Sequence, residues 1–304
     1  MIVSVFGATG VQGGSVLQAL SQDPSFTEVR ALTRNSQQAD TQLRKTKGIN
    51  FDRVSVIQID FNDISSVKNA IKGSNCCFVV TNSDLRDPST MKNELVQGTL
   101  IADACRDTRI EHVVFSTLMP VQRIIGVHAR HCDSKAQVED YMKQIGLPLS
   151  CIMLPFYFED FLDIFKPRKL GTGVYGFDIP MSRVPIGLMS CRDIGECVKE
   201  IFMCKNKYLN HTINLCANVL TVREIADIFN KHLVPNSFKD TQLTLDNYRQ
   251  LGWPGCIDYG NMFDFLIRVD TTHNVPLTEK LHPGLKKFEQ WVMDNRTYLL
   301  HILE

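Results

Sequence analysis

The sequence has no excess of either charge and no long apolar run. Its 304 residues include 33 lysines and arginines against 33 aspartates and glutamates, so the formal net charge is zero. A neutral chain has no overall field that would attract nucleic acid or an anionic membrane surface. No apolar stretch approaches the length that crosses a bilayer. Neither nucleic acid nor a membrane is therefore expected as a partner.

The chain also lacks secretion and metal signals. Its first ten residues, MIVSVFGATG, have no basic segment before the apolar run, so a cytoplasmic location is expected, with the nucleus as a second compartment. None of the ten cysteines is in C-x-x-C spacing, which favours reduced, mostly buried thiols. The pair His128 and His131, with Cys132 adjacent, has no second pair of ligands at suitable spacing, and no metal site is expected.

Short apolar runs alternate with amphipathic helical patterns through the first half of the chain. The runs that are typical of strands are residues 2–6, 28–33, 54–60, 76–81, 112–117 and 149–154. Several are apolar at nearly every position, as strands covered on both faces are. Strands and helices in alternation predict an α/β fold of the Rossmann type, with a doubly wound parallel sheet.

The pattern changes after Pro155, where an aromatic-rich segment is followed by turn signals, short helices and isolated strands such as residues 211–215. Thr221 and Glu224 form a capping box, which predicts a helix that runs to about Asn230. The interpretation is a Rossmann domain over residues 1–155, with room for later strands to complete its sheet. A smaller C-terminal α+β lobe would follow over residues 156–304.

The segment VFGATGVQGG places Gly7, Gly10 and Gly13 between the first strand and a helix. A tight turn that approaches a pyrophosphate closely needs residues without Cβ, and the helix amino terminus offers N–H groups to the anion. A plain strand-to-helix turn is the alternative, but the strand–turn–helix context favours a dinucleotide. The residues expected to form the phosphate loop are Gly7, Ala8, Thr9, Gly10, Val11, Gln12 and Gly13.

The end of the second strand indicates which dinucleotide would bind. An NAD-binding chain usually has an acid there that binds the ribose hydroxyls, whereas this chain has Thr33, Arg34 and Asn35. A guanidinium can pair with a 2′-phosphate, which a carboxylate would repel. NADP(H) is therefore the expected cofactor, with Thr33 and Arg34 in its site. An ordinary surface arginine at a strand end is the alternative.

Two further strand ends extend the predicted site, because ligands of such sheets bind at the carboxyl edge of the strands. Asp60 and Phe61 follow the third strand, and Thr81 and Asn82 follow the fourth. Each of the four could equally be an ordinary turn residue. Their shared edge is what makes them candidates for contact with the dinucleotide.

Taken together, these motifs resemble the NmrA-like family of atypical short-chain dehydrogenase/reductases. The resemblance lies in GATGVQGG, in TRN after the second strand, in the lysine of DSKAQVEDY and in LPFYFED, and it continues through LGWPG and NMFDF over nearly the whole chain. It is strongest toward the animal NmrA-like proteins that sense NADP(H). The resemblance implies that Tyr157, Phe158, Glu159 and Asp160 cover the nicotinamide side; packing of these aromatics between lobes is the alternative.

The catalytic pattern of hydride-transferring relatives is incomplete here. In those relatives a tyrosine acid lies four residues before a lysine that lowers its pKa and holds the nicotinamide ribose, and a serine polarises the substrate carbonyl. Lys135 matches the lysine and Ser116 roughly matches the serine, but His131 stands at the tyrosine position. These three are candidates, and none is assigned as catalytic. Ribose binding is the expected role of Lys135, and a structural or solvent-facing role that of His131.

Two functions follow. The first is an NADP(H)-binding redox sensor, a regulatory protein whose conformation, homodimerisation or binding of protein partners changes with dinucleotide occupancy and which transfers little or no hydride. The fungal members of the family act through transcription-factor partners, which favours this interpretation by resemblance. The second is an NADPH-dependent reductase of a small carbonyl or quinone, with Lys135 acting without a neighbouring tyrosine.

Overall fold

The chain folds into two units, and each unit is built from three separate segments of the sequence. The computed structural model describes residues 1–181, 183–269, 271 and 273–304. Unit 1 consists of Met1–Pro120, Arg130–Met153 and Arg192–Ile213. Unit 2 consists of Val121–Ala129, Leu154–Cys191 and Asn214–Glu304. The chain passes from unit 1 to unit 2 between Met153 and Leu154, beside the boundary expected after residue 155. Each unit consists of three separate segments, so the division is not between two continuous halves of the chain.

The described residues include strands and α-helices in the following order. The strands are β1 (Ile2–Phe6), β2 (Glu28–Thr33), β3 (Val54–Gln58), β4 (Cys76–Val79), β5 (His112–Thr117), β6 (Leu149–Met153), β7 (Phe156–Tyr157), β8 (Arg168–Gly171), β9 (Val174–Phe177), β10 (Ile186–Met189), β11 (Thr212–Asn214), β12 (Asn218–Leu220) and β13 (Ser237–Asp240). The helices are α1 (Val11–Gln22), α2 (Ser36–Arg44), α3 (Ile64–Ile71), α4 (Thr90–Asp107), α5 (Val121–Ile125), α6 (Arg130–Gln144), α7 (Ile194–Met203), α8 (Lys205–Tyr208), α9 (Val222–His232), α10 (Leu245–Arg249), α11 (Cys256–Arg268), α12 (Val275–Leu281), α13 (Phe288–Asp294) and α14 (Arg296–Leu303).

A seven-stranded sheet forms the centre of unit 1, in the order β11-β6-β5-β4-β1-β2-β3. The six strands of the first half pair in parallel, which confirms the predicted α/β fold. The strand order reverses between β1 and β4, and the carboxyl ends of the strands at such a switch point form the crevice where ligands bind. The topology thus brings the end of β1 to the predicted site.

The six predicted strands are all present, and only the last residues predicted for β3, β4 and β6 lie outside them, beyond Gln58, Val79 and Met153. The isolated strand expected near residues 211–215 is β11, and it completes the main sheet beside β6. Its flanks bond to β6, with Asn210 N donating to Leu149 O at 2.6 Å and Cys151 N donating to His211 O at 2.9 Å. Its place in the sheet depends on this pairing and not on local pattern.

Aromatic side chains form the core of unit 2. Its strands form two three-stranded sheets, β12-β10-β7 and β13-β9-β8. Phe161 lies 5.2 Å from Phe288 and Phe177 lies 5.1 Å from Phe229, measured between ring centroids. The capping box predicted for α9 is present, and the helix ends at His232. Stacked and edge-on rings of this kind add to the stabilisation from burial of their apolar area.

His112 is a buried histidine at the start of β5, with no exposed surface. Its Nε2 lies 2.7 Å from Ser150 Oγ, and that hydroxyl donates to Tyr208 O at 2.8 Å. Because the serine proton is used on Tyr208, the ring donates through Nε2–H and is the neutral tautomer. Burial, with a smaller effect of the Lys205 charge, lowers the pKa of His112 to about 4.

Replacement of His112 by glutamine is expected to flatten the pH dependence of folding stability. The unfolded imidazole gains its proton below about pH 6.5, whereas the folded one stays neutral down to about 4. The free energy of unfolding therefore decreases as the pH is lowered through this interval, by up to about 1.4 kcal/mol per pH unit. Burial raises the pKa of Asp160 to about 6, and this acts in the opposite sense over the same range. The measurement is therefore the difference between the two proteins in urea unfolding at about pH 5 and about pH 7. Parallel curves contradict the prediction.

Candidate functional site

The glycine loop lies between β1 and α1, at the switch point of the sheet. Gly7 has a φ of +70°, a conformation that side chains disfavour. Gly10 N donates to Gly7 O at 2.9 Å and closes the turn. Gly10 is also the N-cap of α1 and has no side chain to satisfy the first N–H groups of that helix. The amino terminus of α1 is therefore suited to an anionic ligand.

Gly13 makes the tightest contact in this loop. A Cβ at this position would lie 2.3 Å from Gly7 O and 2.9 Å from Ala8 N, whereas a Cβ at Gly14 would lie 3.5 Å from Ala8 O. The first turn of α1 thus touches the loop backbone directly. Gln42 of α2 donates to Thr9 O at 3.0 Å, which adds a second hold on the loop. Of the remaining predicted residues, Gly10 and Val11 are exposed, Gln12 is partly exposed and Ala8 is buried.

The end of β2 lies beside the loop, since Phe6 pairs with Leu32 in the parallel register. Thr33 is the last residue of β2, and Asn35 caps α2 by accepting from Gln38 N at 3.0 Å. Arg34 between them is exposed, and within the described part of the chain its guanidinium has no hydrogen bond or ion pair. Its charge is available to a ligand.

The ends of β3 and β4 reach the same edge of the sheet. Asp60 is exposed, and its Oδ1 accepts from Asn62 N at 2.9 Å in a local turn. Phe61 is half-buried, with its ring centroid 6.4 Å from that of Phe6. After β4, Thr81 is buried and Asn82 is exposed. The structure therefore brings these predicted residues to one edge, and contact with a dinucleotide stays a prediction.

Lys135 is not a solvated helix lysine. It lies on the inner face of α6 with only 8% of its surface exposed. Its ammonium donates to Glu94 Oε1 at 2.5 Å, to Thr81 O at 2.9 Å and to Ser83 Oγ at 3.2 Å. An ammonium has three N–H groups, so each has an acceptor inside unit 1. Lys135 is the centre of a polar cluster.

Glu94, the counter-ion of Lys135, is the functional residue that the sequence interpretation missed. Its side chain has no exposed surface. Burial, the largest single influence, raises its pKa, but the Lys135 charge and hydrogen bonds from Lys135, Ser134 and Ser83 outweigh burial, and the pKa lies below its ordinary value. A signal was present, because Glu94, Gly98 and Ile101 share the buried face of α4 and a carboxylate on such a face needs a partner.

The other two catalytic candidates are enclosed. His131 lies one helical turn before Lys135 and is 9% exposed, so of its two expected roles the structural one fits its position and the solvent-facing one does not. Ser116 lies in β5 and is 2% exposed. The structure places no tyrosine one turn before Lys135, since α6 carries His131 there. The acid of hydride-transferring relatives has no counterpart at this position.

The segment Tyr157–Asp160 belongs to unit 2 and makes contacts within it. Phe158 is fully buried, with its ring 5.2 Å from Phe288. Glu159 accepts from Ser190 Oγ at 2.8 Å and from Cys191 N at 2.9 Å, and Asp160 accepts from Tyr157 N at 2.8 Å. Phe158 thus packs in the aromatic core of its unit. Contact of this segment with a nicotinamide stays a prediction.

The ten cysteines are free, and nine of them are buried. Burial raises the pKa of Cys76 to about 11, that of Cys216 to about 11 and that of Cys197 to about 12. Cys204 is partly exposed, and its hydrogen bond with Glu200, followed by burial, raises its pKa as well. The thiolate is the reactive form, so these thiols are protonated at neutral pH and slow to oxidise.

The folded protein is therefore expected to resist thiol alkylation. Treatment with iodoacetamide near neutral pH should leave the nine buried thiols unlabelled over a period in which all ten react in denaturant, because burial denies the reagent access to them. At Cys76, Cys197 and Cys216 the raised pKa slows attack further. Mass spectrometry of the digested protein gives the extent of labelling at each position. Fast labelling of a buried cysteine in the folded protein would point to thiol-based sensing instead.

Two further properties concern the described residues only. None of the helices in the described ranges is long and apolar enough to cross a membrane. In the same ranges, no group of three or more histidine, cysteine, aspartate or glutamate side chains could hold a metal ion.

Comparisons with known proteins give the family. The model of the NmrA-like family matches residues 1–291. An NmrA-like family domain-containing protein of Dictyostelium discoideum is 26% identical over 240 residues, which cover 75% of this chain and 76% of that protein. An NmrA-like family domain-containing oxidoreductase of a Cladobotryum species is 32% identical over 237 residues, covering 70% of this chain and 68% of that protein. These relatives come from a slime mould and a fungus and not from animals.

Solved structures share the fold over nearly the full length. NmrA, a negative transcriptional regulator, in complex with NADP, has a TM-score of 0.79 at 18% identity, covering 99% of this chain and 96% of that one. The triphenylmethane reductase of a Citrobacter species, complexed with NADP(H), has a TM-score of 0.76 at 16% identity, covering 97% and 99%. With the family model matched over almost the whole chain and the same fold in NmrA itself, this protein belongs to the NmrA-like family.

Proposed function

We propose that this protein binds NADP(H) and acts as a redox sensor, a regulatory protein with little or no hydride-transfer activity. The observation that carries the proposal is the end of β2. An exposed, unengaged guanidinium at Arg34 stands beside the glycine loop, at the place where NAD-binding chains usually have an acid. NmrA itself has been solved with NADP and with NAD, so the preference has to come from side chains of this chain.

The glycine loop and Arg34 would divide the binding of the dinucleotide between them. The amino terminus of α1 and the backbone of the loop would bind the pyrophosphate, and Arg34 would pair with the 2′-phosphate by charge-assisted hydrogen bonds. Thr33, Asp60, Phe61, Thr81 and Asn82 would line the same edge of the sheet. Lys135 would contribute to the nicotinamide ribose.

The polar cluster around Lys135 disfavours catalysis. A reductase needs a group that gives a proton to the developing alkoxide, and the position one turn before Lys135 is a buried histidine. Lys135 is held in an ion pair with Glu94, and each of its three N–H groups has an acceptor within the cluster. Binding without turnover is the behaviour that these contacts support.

A sensor requires that NADP(H) bind two states of the protein with different affinity. The segment after β4 is a candidate for the part that changes. Ser83 contacts the Lys135 cluster, and Arg130 of α6 donates to Leu85 O at 3.0 Å and to Asp87 O at 3.3 Å. Occupancy of the site would alter this segment and with it the surface offered to a protein partner or to a second copy of the chain. The likeness to animal NADP(H) sensors, and a cytoplasmic or nuclear location, belong to the same proposal.

The test is direct titration by calorimetry with NADPH, NADP⁺ and NADH, followed by sedimentation of the protein with and without ligand. The expected result is micromolar or tighter binding of NADPH and NADP⁺, weaker binding of NADH, and a change in association or shape on binding. Indifference to NADP(H), or binding with no change in sedimentation, would contradict the sensor proposal.

A second candidate is an NADPH-dependent reductase of a small carbonyl or quinone. The observation that favours it is that the Cladobotryum relative is described as an oxidoreductase. The Escherichia coli NADPH-dependent quinone oxidoreductase also shares the fold, with a TM-score of 0.75 at 15% identity. The experiment follows the absorbance of NADPH with a panel of quinones and aldehydes. Turnover that is lost in Lys135→Ala while NADPH still binds would favour this function over the sensor.

A further inference from the structure

The polar cluster around Lys135 has a second charged member whose role the binding of a dinucleotide alone does not explain. We propose that Glu94 is a positioning residue that keeps Lys135 a cation, and that a ribose hydroxyl of the dinucleotide replaces Ser83 as the third acceptor of the ammonium. The inference deepens the proposed function and rests on it for the ribose step. The Glu94–Lys135 pair itself can be tested without any ligand.

The hydrogen bonds show that Glu94 is ionised. Its Oε1 accepts from Lys135 Nζ and from Thr81 Oγ1, both at 2.5 Å. Its Oε2 accepts from Ser83 Oγ at 2.6 Å and from Ser134 Oγ. A carboxylate has about four acceptor positions, and each of the four is used. The ionised form is the one that accepts from all four donors and compensates the charge of the Lys135 ammonium.

Lys135 depends on this carboxylate for its charge. Burial disfavours a lysine cation and can lower its pKa by several units when no partner compensates. From α4 the charged group that faces the ammonium is Glu94. On α6 itself the titratable neighbours are His131 one turn before and Glu139 one turn after, and Glu139 is paired with Lys143 at 2.5 Å.

The remaining elements around Lys135 supply neutral groups or charges that are engaged elsewhere. The segment after β4 presents the hydroxyls of Thr81 and Ser83. Its carboxylate, Asp84, is bound by Arg86 at 2.8 Å and is partly exposed to solvent. In β5, which packs against α6, the one titratable residue is His112, whose ring is bonded to Ser150. Removal of the Glu94 charge therefore leaves Lys135 without a compensating anion.

Ser83 is the acceptor that a ligand can replace. The other two acceptors are the fully buried Glu94 carboxylate and the Thr81 carbonyl, whose position the main chain sets. Ser83 is partly exposed, and its Oγ lies 3.2 Å from the ammonium, farther than the oxygens of the Glu94 carboxylate and the Thr81 carbonyl. A ribose hydroxyl that takes its place keeps the ammonium saturated and releases the start of the segment that follows β4. Ser83 would then be the point where dinucleotide occupancy is transmitted to this segment.

The first experiment needs no dinucleotide. In Glu94→Gln the pKa of Lys135 should fall below its unfolded value of about 10.4, so the unfolded chain binds more protons and stability should rise with pH between about 7 and 10. The stability of the wild-type protein should change much less with pH over this range than that of Glu94→Gln. Glu139→Gln is the matched control, because it removes a buried carboxylate of α6 whose partner, Lys143, is half-exposed and keeps its charge in water.

Urea unfolding across this pH range distinguishes positioning from a merely structural role. A purely structural Glu94 would lower stability by the same amount at every pH, as Glu139→Gln should, and parallel curves would overturn the proposal. Glu94→Asp keeps the charge and should restore the wild-type pH profile even though it is less stable. If Glu94→Gln does not fold, folding of Glu94→Asp with a flat profile supports the proposal, and its failure to fold as well overturns it.

The second experiment measures NADPH affinity by calorimetry. Glu94→Gln should weaken binding by about tenfold or more, since hydrogen bonds from a charged group are the stronger ones, with recovery at low pH where Lys135 regains its proton. Ser83→Ala should bind NADPH as tightly as wild type or more tightly, because the competing acceptor is gone. Weaker binding by Ser83→Ala would overturn the exchange. If wild type does not bind NADP(H) at all, the proposed function fails and the exchange with it, while the unfolding curves still decide the role of Glu94.

Discussion

Alanine at position 13 is expected to abolish useful NADPH binding while the protein still folds. The added Cβ would lie 2.3 Å from Gly7 O, a distance that forces the loop and the first turn of α1 apart. The N–H groups that would cradle the pyrophosphate then no longer converge. Loss of about two hydrogen bonds to a charged phosphate, at about 1.5–3 kcal/mol each, corresponds to a hundredfold or larger fall in affinity.

Gly14→Ala is the matched control for this change. The new Cβ would meet Ala8 O at 3.5 Å, an ordinary van der Waals contact. Replacement of glycine by alanine within a helix stabilises it by up to about 1 kcal/mol, so this variant should bind NADPH normally and melt slightly higher. Calorimetry gives both affinities, and circular dichroism checks that Gly13→Ala is folded. Equal affinities for the two variants would mean that the loop does not hold the phosphates.

The part of this fold that could be predicted is the part that local pattern determines. Buried parallel strands need apolar residues at nearly every position, and the runs ending at Phe6, Val79 and Met153 show this in the sequence itself. The glycine spacing is similarly local, because it reports backbone conformation within one turn. These signals predicted the sheet, its switch point and the conformation of the glycine loop.

The arrangement around Lys135 could not be predicted in the same way, because it depends on groups distant in sequence. Glu94 and Lys135 are separated by 41 residues, and Ser83 lies 52 residues before the lysine. No motif joins them; they meet because α4 and α6 pack side by side, with Gly98 against Val138. The same holds for β11, whose place in the sheet depends on pairing with β6. Pairing across such distances is a property of the tertiary fold.

The fold alone does not separate a regulator from a reductase, since it is shared with NmrA and with the triphenylmethane reductase. Function on a shared fold depends on the side chains at its site. Here those side chains are an arginine after β2, a histidine in place of a tyrosine acid, and a lysine that is paired with the carboxylate of Glu94. In the proposed function the first would determine which dinucleotide binds, and the other two would determine what could be done with it.

Reversal of the charge at position 34 is therefore expected to reverse the preference between the two dinucleotides. Arg34 is exposed and its guanidinium can form two hydrogen bonds with a phosphate, so Arg34→Ala should weaken NADPH binding by about ten- to a hundredfold and leave NADH nearly unchanged. Arg34→Glu should repel the 2′-phosphate and accept hydrogen bonds from the ribose hydroxyls, which makes NADH the better ligand.

Lys47→Ala removes another exposed cation of unit 1 and serves as the control for a general loss of positive charge. It should lower NADPH affinity only slightly, because an exposed charge that does not pair directly with the phosphate is screened at physiological salt. Calorimetric titration of the three variants with NADPH and NADH gives the ratio of the two affinities for each. A ratio that is the same in Arg34→Glu as in wild type would show that another group recognises the 2′-phosphate, and the assignment of NADP(H) specificity to the end of β2 would fail. A ratio that changes equally in Lys47→Ala would show that net charge, and not a specific pairing with Arg34, determines the preference.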